Sequence, residues 1–199
     1  MKILALDSSG LVASVAVVEN DTLLAEYTVN YKKTHSQTLL PMLDEISNMT
    51  ELDLSTIDAI AVAGGPGSFT GLRIGSATAK GLGLALEKPL ISIPTTAAIA
   101  YNIWDTDKFV CPIMDARRNQ VYTGVYCYTD HRLDTVWEQD TMSIEALAEG
   151  LNCLDHEVIF LGDGVAVYRE KIRGTADDSV FLCTGTRQPP ESGSRRSTG

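Results

Sequence analysis

The stretch GGPGSFTGLRIG, residues Gly64 to Gly75, determines how the rest of the chain is interpreted. It follows the apolar run IDAIAVAGG, which predicts a buried strand. It leads into a helix that begins after an N-cap at Ser68 and ends near Glu87. Glycine-rich turns of this kind can bind phosphate, but this one lacks the lysine of a P-loop and the GxGxxG spacing of a dinucleotide-binding turn. An anion could still bind the free N–H groups at the helix N-terminus.

The predicted helix carries a stripe of small residues. Gly71, Gly75, Ala79 and Gly83 recur every four positions, although each interior glycine costs about 1 kcal/mol relative to alanine. A close contact must offset that cost, because a face without side chains lets another backbone approach to about 8 Å between axes. Either the chain's own sheet or a helix of a partner chain would make that contact. The residues alone leave both interpretations open.

Upstream of the glycine-rich turn, the sequence predicts three strands and a helix. KILALDSS, ASVAVVEN and TLLAEYTVN are typical of consecutive strands in an antiparallel meander. THSQTLLPMLDEISNMTEL then repeats apolar residues at spacings of three and four, as an amphipathic helix does. Pro41 lies inside this pattern and indicates either a kink or the first turn of the helix. Downstream, PLISIPT predicts a strand and TAAIAYNI a short helix, so the first half is a mixed sheet covered by helices.

The polar stretch WDTDKF separates a second half, and we place the boundary near Asp105. VCPIMDARRNQVYTGVYCY predicts two strands around a tight turn, followed by a helix at MSIEALAEGLN, a strand at EVIFLGDG and a helix at VAVYREKIRG. The chain is therefore expected to divide into domains 1–105 and 106–183, the second a shorter echo of the first. Residues 184–199 are rich in Gly, Ser, Pro and Arg, which predicts a disordered tail.

The amino-acid composition limits the classes of protein to which the chain could belong. The 44% of apolar and 21% of charged residues are typical of a globular chain. A net charge of −10 disfavours a broad nucleic-acid surface, since phosphate neutralisation needs clustered Lys and Arg. The four cysteines form no CxxC pair, which fits reduced thiols. No signal-peptide pattern or long apolar run is present, so we expect a cytoplasmic chain with no contact to a membrane.

Three turns carry the candidate nucleotide-binding residues. Each follows a predicted strand and offers hydroxyls, backbone N–H groups or a carboxylate that could meet a phosphate, its hydrated cation or a nucleoside. These residues are Asp7, Ser8, Ser9, Gly10, Asp115, Gly162, Asp163 and Gly164. The alternative is that the two aspartates Asp7 and Asp115 only cap their turns.

The sequence predicts neither a metal site nor a catalytic residue. His35, His131 and His156 occur without HxxxH or HExxH spacing, and His35 with Ser36 has no spacing that implies a catalytic triad. In the DARRN turn, two arginines, Arg117 and Arg118, could bind a phosphate or a partner's carboxylate, or could be solvated charges.

The glycine-rich stretch, together with ILALDSSGLVASVAV, THSQTLLPML, SIPTTAAIA and MDARRNQVYTGVY, resembles the bacterial TsaB (YeaZ) family over about residues 1–171. The resemblance implies an α/β fold of two actin-like halves with mixed sheets, of the ASKHA or ribonuclease H-like type. It also implies a part in making N6-threonylcarbamoyladenosine beside the anticodon of tRNA. In that family the chain is a non-catalytic scaffold subunit that heterodimerises with TsaD and activates it, while TsaD holds the metal through paired histidines.

The resemblance also implies the partners. TsaD pairs through the first two helices, which match residues 35–52 and 68–87 here, and the small ATPase TsaE joins the pair. No cofactor is required by this chain itself, although ATP or ADP with Mg²⁺ is associated with the junction, and tRNA is contacted only indirectly. Without TsaD we expect a homodimer through the same helices. The expected interface residues are His35, Leu39, Met42, Leu43, Ile46, Gly71, Gly75, Ala79 and Gly83.

One departure from the family and two other interpretations remain. Family members continue past the Gly-Asp-Gly turn with more helix, whereas apolar periodicity here ends near Cys183, so we expect a small, C-terminally truncated second half. A nucleotide-binding ATPase or phosphotransferase of the actin-like superfamily would use Asp7 with Mg²⁺ and Asp115 as a base or ligand. A peptidase, which the family's older description as glycoproteases suggests, would need a nucleophile, base and oxyanion site that is not visible here.

Overall fold

A computed structural model of the chain describes residues 1–30, 37–154, 156–175 and 180–182. The predicted tail, residues 184–199, and the candidate interface residue His35 lie outside these ranges. The first half contains β1 (Lys2–Asp7), β2 (Ala13–Glu19), β3 (Thr22–Val29), α1 (Leu39–Thr50), β4 (Ala59–Gly65), α2 (Phe69–Leu86), β5 (Leu90–Pro94) and α3 (Thr95–Ala100). The second contains β6 (Phe109–Arg117), β7 (Gln120–Thr129), β8 (Arg132–Ser143), α4 (Ile144–Asn152), β9 (Val158–Leu161), α5 (Gly164–Thr175) and β10 (Val180–Leu182).

The two halves are built on sheets of the same topology. The first sheet has the order β3-β2-β1-β4-β5, and the second has the order β10-β9-β6-β7-β8, which is the same order read from the other edge. In each sheet the first three strands form an antiparallel meander, and the last two run parallel to the first strand. The predicted mixed sheets are therefore present in both halves.

Local signals in the sequence set the helix ends. The Ser68 side chain accepts a hydrogen bond from the Gly71 N–H and caps α2, as predicted, and Glu87 ends the helix in a left-handed conformation. Pro41 is the third residue of α1, where the backbone N–H has no partner within the helix, so the proline marks the first turn and not a kink.

Each sheet has its own apolar core, and α3 connects the two halves. Helices α1 and α2 cover one face of the first sheet, while α4 and α5 pack with the second. Helix α3 follows directly from β5, yet Ala100 packs with Val110, Tyr126 and Leu161 of the second half. The Thr96 hydroxyl lies 2.7 Å from the Tyr126 hydroxyl and 3.0 Å from Gln139 Oε1. The loop after α3 contains the predicted boundary at Asp105, but α3 itself is packed against both sheets.

Two strands, β8 and β10, were not predicted. Strand β8 consists mostly of exposed polar residues at the edge of its sheet, and it lacks the alternating apolar pattern that identifies a half-buried strand. Cys111 is buried in β6, and burial raises the pKa of its thiol to about 12. Among the residues described, no helix has the length and apolar character needed to cross a membrane.

Candidate functional site

The turn after β1 is tied to the start of α2. The Ser8 hydroxyl donates to the Gly71 carbonyl at 2.9 Å, and the Ser68 N–H donates to the Ser9 carbonyl at 2.7 Å. Gly67 permits this approach, because a Cβ there would lie 2.3 Å from the Ser9 carbonyl oxygen. Ser8 and Ser9 are only 2% and 3% exposed and form part of the junction between turn and helix, so a contact of their hydroxyls with a nucleotide stays a prediction.

The carboxylate of Asp7 caps this turn. It is half-buried and accepts a hydrogen bond from the Ser9 N–H at 2.8 Å, as an aspartate does in a turn. It also lines a groove of about 150 Å³ on the sheet face opposite α1 and α2, where the floor includes Ala5 and Ala61. The capping interpretation therefore accounts for Asp7, while a ligand at Asp7 and Gly10 stays a prediction.

The matching turn in the second half is held by side chains. Asp115 accepts hydrogen bonds from the Arg117 N–H at 2.9 Å and from the Tyr168 hydroxyl at 3.0 Å, and its own N–H donates to Asp163 Oδ1 at 3.2 Å. Burial raises the pKa of Asp163, the hydrogen bond from the Asp115 N–H opposes that rise, and the negative charge of Asp115 adds to it. This turn therefore brings two carboxylates together, although its hydrogen bonds are already made within the chain.

The Gly-Asp-Gly turn is shaped by packing against β6. A Cβ on Gly162 would lie 2.4 Å from the Ile113 carbonyl oxygen, and one on Gly164 would lie 2.9 Å from the same atom. Gly162 also has a φ of +102°, which side-chain-bearing residues rarely adopt. Both glycines are therefore required by the fold, and their role in binding a nucleoside stays a prediction.

A cleft of about 370 Å³ lies between the two halves. It is lined from the first half by the glycine-rich turn and from the second by polar residues of β7 and β8. The lining residues are Gly64, Gly65, Pro66, Leu72, Tyr122, Gln139, Asp140 and Thr141. None of the eight predicted nucleotide-binding residues is among them, so the structure does not gather those residues around this cleft.

The small-residue stripe of α2 faces the chain's own sheet. Gly71, Gly75, Ala79 and Gly83 are all buried. A Cβ on Gly75 would lie 2.4 Å from Ser8 Oγ, and one on Gly83 would lie 2.8 Å from Leu90 Cδ2. The glycines therefore let α2 pack closely on the sheet, and the intramolecular interpretation of the stripe is the one that the structure supports.

The predicted interface residues of α1 are also core residues. Leu39, Met42, Leu43 and Ile46 are between 1% and 4% exposed and pack with the strands of the first sheet. The assignment of these four residues, and of the four stripe residues, to a partner surface is wrong, because all eight already have their contacts inside the fold.

The opposite side of α2 carries a second stripe, which the sequence reasoning missed. Ala77, Gly81 and Ala85 are exposed and again lie four residues apart, and a Cβ on Gly81 would meet nothing within 4 Å. Phe69 and Leu84 beside them are 71% and 84% exposed. We call this surface the outer face of α2, formed by Phe69, Arg73, Ala77, Gly81, Leu84 and Ala85. The signal was available in the sequence as a second run of small residues at spacing four.

Comparison with known proteins places this geometry in a family. The sequence profile of the TsaD family, described as tRNA N6-adenosine threonylcarbamoyltransferase, matches residues 22–185. The tRNA threonylcarbamoyladenosine biosynthesis protein TsaB of Bacillus subtilis is 34% identical over 96% of this chain and 83% of its own length. The TsaB protein of Escherichia coli is 32% identical over 82% of this chain and 72% of its own length.

A solved structure agrees with these relatives. YeaZ from Pseudomonas aeruginosa is 28% identical and superposes with a TM-score of 0.77 over 93% of this chain and 84% of its own. Together with the two mixed sheets, this match confirms the predicted α/β fold of two actin-like, ribonuclease H-like halves.

Proposed function

The chain belongs to the TsaB (YeaZ) family, and on that premise we propose that it takes part in tRNA threonylcarbamoyladenosine biosynthesis as a non-catalytic scaffold subunit. It heterodimerises with TsaD and activates that partner. The names of its relatives support the pathway, and the match to the TsaD profile supports a partner of the same fold family.

The observation that carries the scaffold proposal is the outer face of α2. Exposed apolar side chains in a contiguous patch mark interaction surfaces, and small residues at spacing four let a second helix approach closely. Phe69 and Leu84 supply the apolar area, while Gly81 leaves room for a neighbouring backbone. Helix α1 adds two exposed apolar residues, Leu40 and Met49, which are 53% and 76% exposed.

The proposed interface therefore uses the same two helices as the sequence prediction, but exposed residues of those helices in place of the buried ones. In the absence of TsaD, a second copy of the chain would cover the outer face of α2 through an isologous contact and give a homodimer. TsaE and a nucleotide with Mg²⁺ would join at the junction of the pair. TsaD would supply most of the contact with tRNA, since this chain carries a net charge of −10. The cytoplasm, where tRNA is modified, is the expected location.

The Gly81→Arg substitution tests this proposal, with Gly174→Arg as its control. Both glycines lie within helices, and a Cβ on either would meet nothing within 4 Å, so both variants are expected to fold. Gly81→Arg places a charged side chain in the outer face of α2 and is expected to abolish co-purification with TsaD. It is also expected to convert the homodimer to a monomer in size-exclusion chromatography. Gly174→Arg changes α5 in the other half and is expected to bind TsaD like the parent.

Activity provides the second measurement. TsaD, TsaE and the enzyme that makes the threonylcarbamoyl adenylate are combined with tRNA, with and without this chain, and threonylcarbamoyladenosine is quantified. We expect product with the parent and Gly174→Arg, and none with Gly81→Arg. Normal binding of TsaD by a folded Gly81→Arg variant would show that the interface lies elsewhere, and product formed equally well without the chain would refute the scaffold function.

A further inference from the structure

The turn between β6 and β7 has three consecutive residues in a left-handed conformation. Arg117, Arg118 and Asn119 have φ values of +68°, +53° and +63°. Residues other than glycine rarely adopt a positive φ, and among them Asn and Asp tolerate it best. Residues held in such conformations against their preference are concentrated at binding sites. Two arginines at these positions therefore call for an explanation outside the turn itself.

Two other hairpins of the chain have positive-φ turns that contain no arginine. The β2–β3 turn places Asn20 and Asp21 at positive φ, and the β7–β8 turn places Asp130 and His131 there. These are the residue types that tolerate the conformation. The β6–β7 turn departs from that choice at two positions, and both departures are arginines.

Neighbouring side chains hold the β6–β7 turn in place from both sides. On one side, Asp115 binds the Arg117 N–H and the Tyr168 hydroxyl at 2.9 and 3.0 Å. On the other side, the Asn119 side chain donates to Glu145 at 2.8 Å and accepts from Lys171. The backbone of the turn is thus fixed before anything binds, which lowers the entropy cost of using it as a contact.

The two guanidinium groups remain at the surface. Arg117 and Arg118 are exposed, and neither forms an ion pair with any residue in the described ranges. Nearby carboxylates, by contrast, are engaged: Glu145 with Lys171 at 2.9 Å, and Asp115 with Tyr168. Arginine is suited to bidentate binding of an oxyanion, and these two are the groups at this turn that are left to do so.

We propose that the Arg117–Arg118 turn binds an acidic segment of a partner protein. Asp115 and Glu145 are already hydrogen-bonded within the chain, whereas the guanidinium groups of Arg117 and Arg118 are exposed and would be the groups that bind a partner's carboxylate. An RNA backbone is a poorer match, because it carries a phosphate at every nucleotide and the net charge of −10 repels such a polyanion, whereas a protein segment can present just the one or two carboxylates that the arginines bind. The turn belongs to the second half and is separate from the outer face of α2.

The test removes the charge while keeping the turn. In Arg117→Asn/Arg118→Asn, asparagine tolerates positive φ better than arginine, so the thermal midpoint is expected to equal or exceed that of the parent. Arg132→Asn/Arg169→Asn removes the same charge from two exposed positions of the same half and serves as the control. Binding is measured by NMR of the arginine Nε–Hε groups in the full chain, titrated with a hexaglutamate peptide or with hexauridylate at low salt.

We expect hexaglutamate to shift two arginine signals of the parent in a saturable, salt-sensitive way, and these signals to be absent from the turn variant and present in the control. The turn variant should also bind TsaD or TsaE, assayed with ATP, at least tenfold more weakly than the parent. Unshifted arginine signals, a stronger response to hexauridylate, or affinities for both proteins within twofold of the parent would overturn the inference.

Only the choice of TsaD and TsaE rests on the proposed function. Failure of the parent itself to bind TsaD would count against that function, whereas the peptide titration judges the turn alone.

Discussion

Helices α2 and α5 occupy the same position in two sheets of the same topology, yet they pack in opposite ways. Helix α2 contacts its sheet through residues that lack side-chain bulk, with close approaches at Gly75 and Gly83. Helix α5 contacts its sheet through Val165, Tyr168 and Ile172, all of which are buried. One arrangement depends on space left empty by glycine and the other on volume filled by side chains.

The difference extends to the surfaces that the two helices expose. The outer face of α2 combines small residues with Phe69, Leu84 and Arg73, whose guanidinium carbon lies 4.5 Å from the centre of the Phe69 ring. Helix α5 instead exposes Arg169, Lys171 and Arg173 along with a smaller apolar contribution. A charged helix face is well solvated, while an apolar one gains free energy when it is covered. The two sheets thus share a topology, but their matching helices expose different surfaces. For this reason we propose a helix-binding surface on α2 and not on α5.

The largest effect on stability is expected from truncating a buried side chain of α5. Ile172 is 0% exposed, so Ile172→Ala should leave a cavity and lower the free energy of unfolding by about 2–5 kcal/mol. Val167→Ala on the same helix is the control, because Val167 is 59% exposed and its truncation should change stability by less than about 0.5 kcal/mol. Urea denaturation followed by circular dichroism measures both. Equal effects at the two positions would mean that α5 is not packed as described.

The next largest effect is expected from adding a side chain at a buried glycine of α2. In Gly75→Ala the new Cβ meets Ser8 Oγ at 2.4 Å, and overpacking of this kind should destabilise the chain by about 1–3 kcal/mol. Gly81→Ala, on the open side of the same helix, should instead stabilise it by about 1 kcal/mol, since alanine is the better helix former. The glycine-to-alanine substitution is therefore expected to change the free energy of unfolding in opposite directions at these two positions of one helix. The same denaturation experiment measures both changes.

A double variant identifies the atom responsible. The Ser8 Cβ lies 3.8 Å from the position of the new Cβ, an ordinary van der Waals distance, so removing only the hydroxyl relieves the clash. Ser8→Ala alone loses the hydrogen bond to the Gly71 carbonyl and should cost about 1 kcal/mol. In combination with Gly75→Ala, the loss should be smaller than the sum of the two single effects. Strict additivity would indicate that Gly75 is limited by some other contact.

Much of this fold follows from local sequence signals. Ser68 at the start of α2 and the Asn20–Asp21 turn have side chains whose hydrogen bonding and backbone preferences specify those structures directly. Strand β8 could not be recognised, because an edge strand with a polar exposed surface has no periodic apolar pattern. It pairs with the preceding strand β7 as a hairpin, so the local signal for it was the turn at Asp130 and His131 and not a pattern within the strand.

The site was predictable only in part, for a related reason. Periodicity identified the stripe from Gly71 to Gly83, but spacing does not state which neighbour lies against it, and the deciding atoms belong to Ser8 and Leu90. The sequence likewise predicts a phosphate ligand for the Ser8 hydroxyl, whereas this hydroxyl donates to the Gly71 carbonyl, 63 residues away. Long-range contacts of this kind have no signature in either local segment.

The smallest effect is expected from a carboxylate at the turn after β6. The turn after β1 is tied to α2 through the uncharged Ser8 hydroxyl, whereas the turn after β6 is tied to the Gly-Asp-Gly turn through Asp163, which lies beside Asp115. Because burial raises the pKa of Asp163 above its ordinary value of 3.8, the ionised carboxylate destabilises the folded state once the pH exceeds that value. Below it, the carboxyl is protonated in both the folded and unfolded states, and this difference disappears.

Asp163→Asn is therefore expected to give a small rise in thermal midpoint at pH 7 that fades as the pH falls towards 3.8 and is absent below it. The asparagine Oδ1 can still accept the Asp115 N–H, and asparagine is as good a residue as aspartate before the start of α5. Scanning calorimetry from pH 3 to pH 7 measures the change, with Asp134→Asn on exposed β8 as the matched control for removing one carboxylate. A lower midpoint for Asp163→Asn at pH 7 would mean that the negative charge itself stabilises this turn, in which case the two halves differ less than their hydrogen bonds suggest.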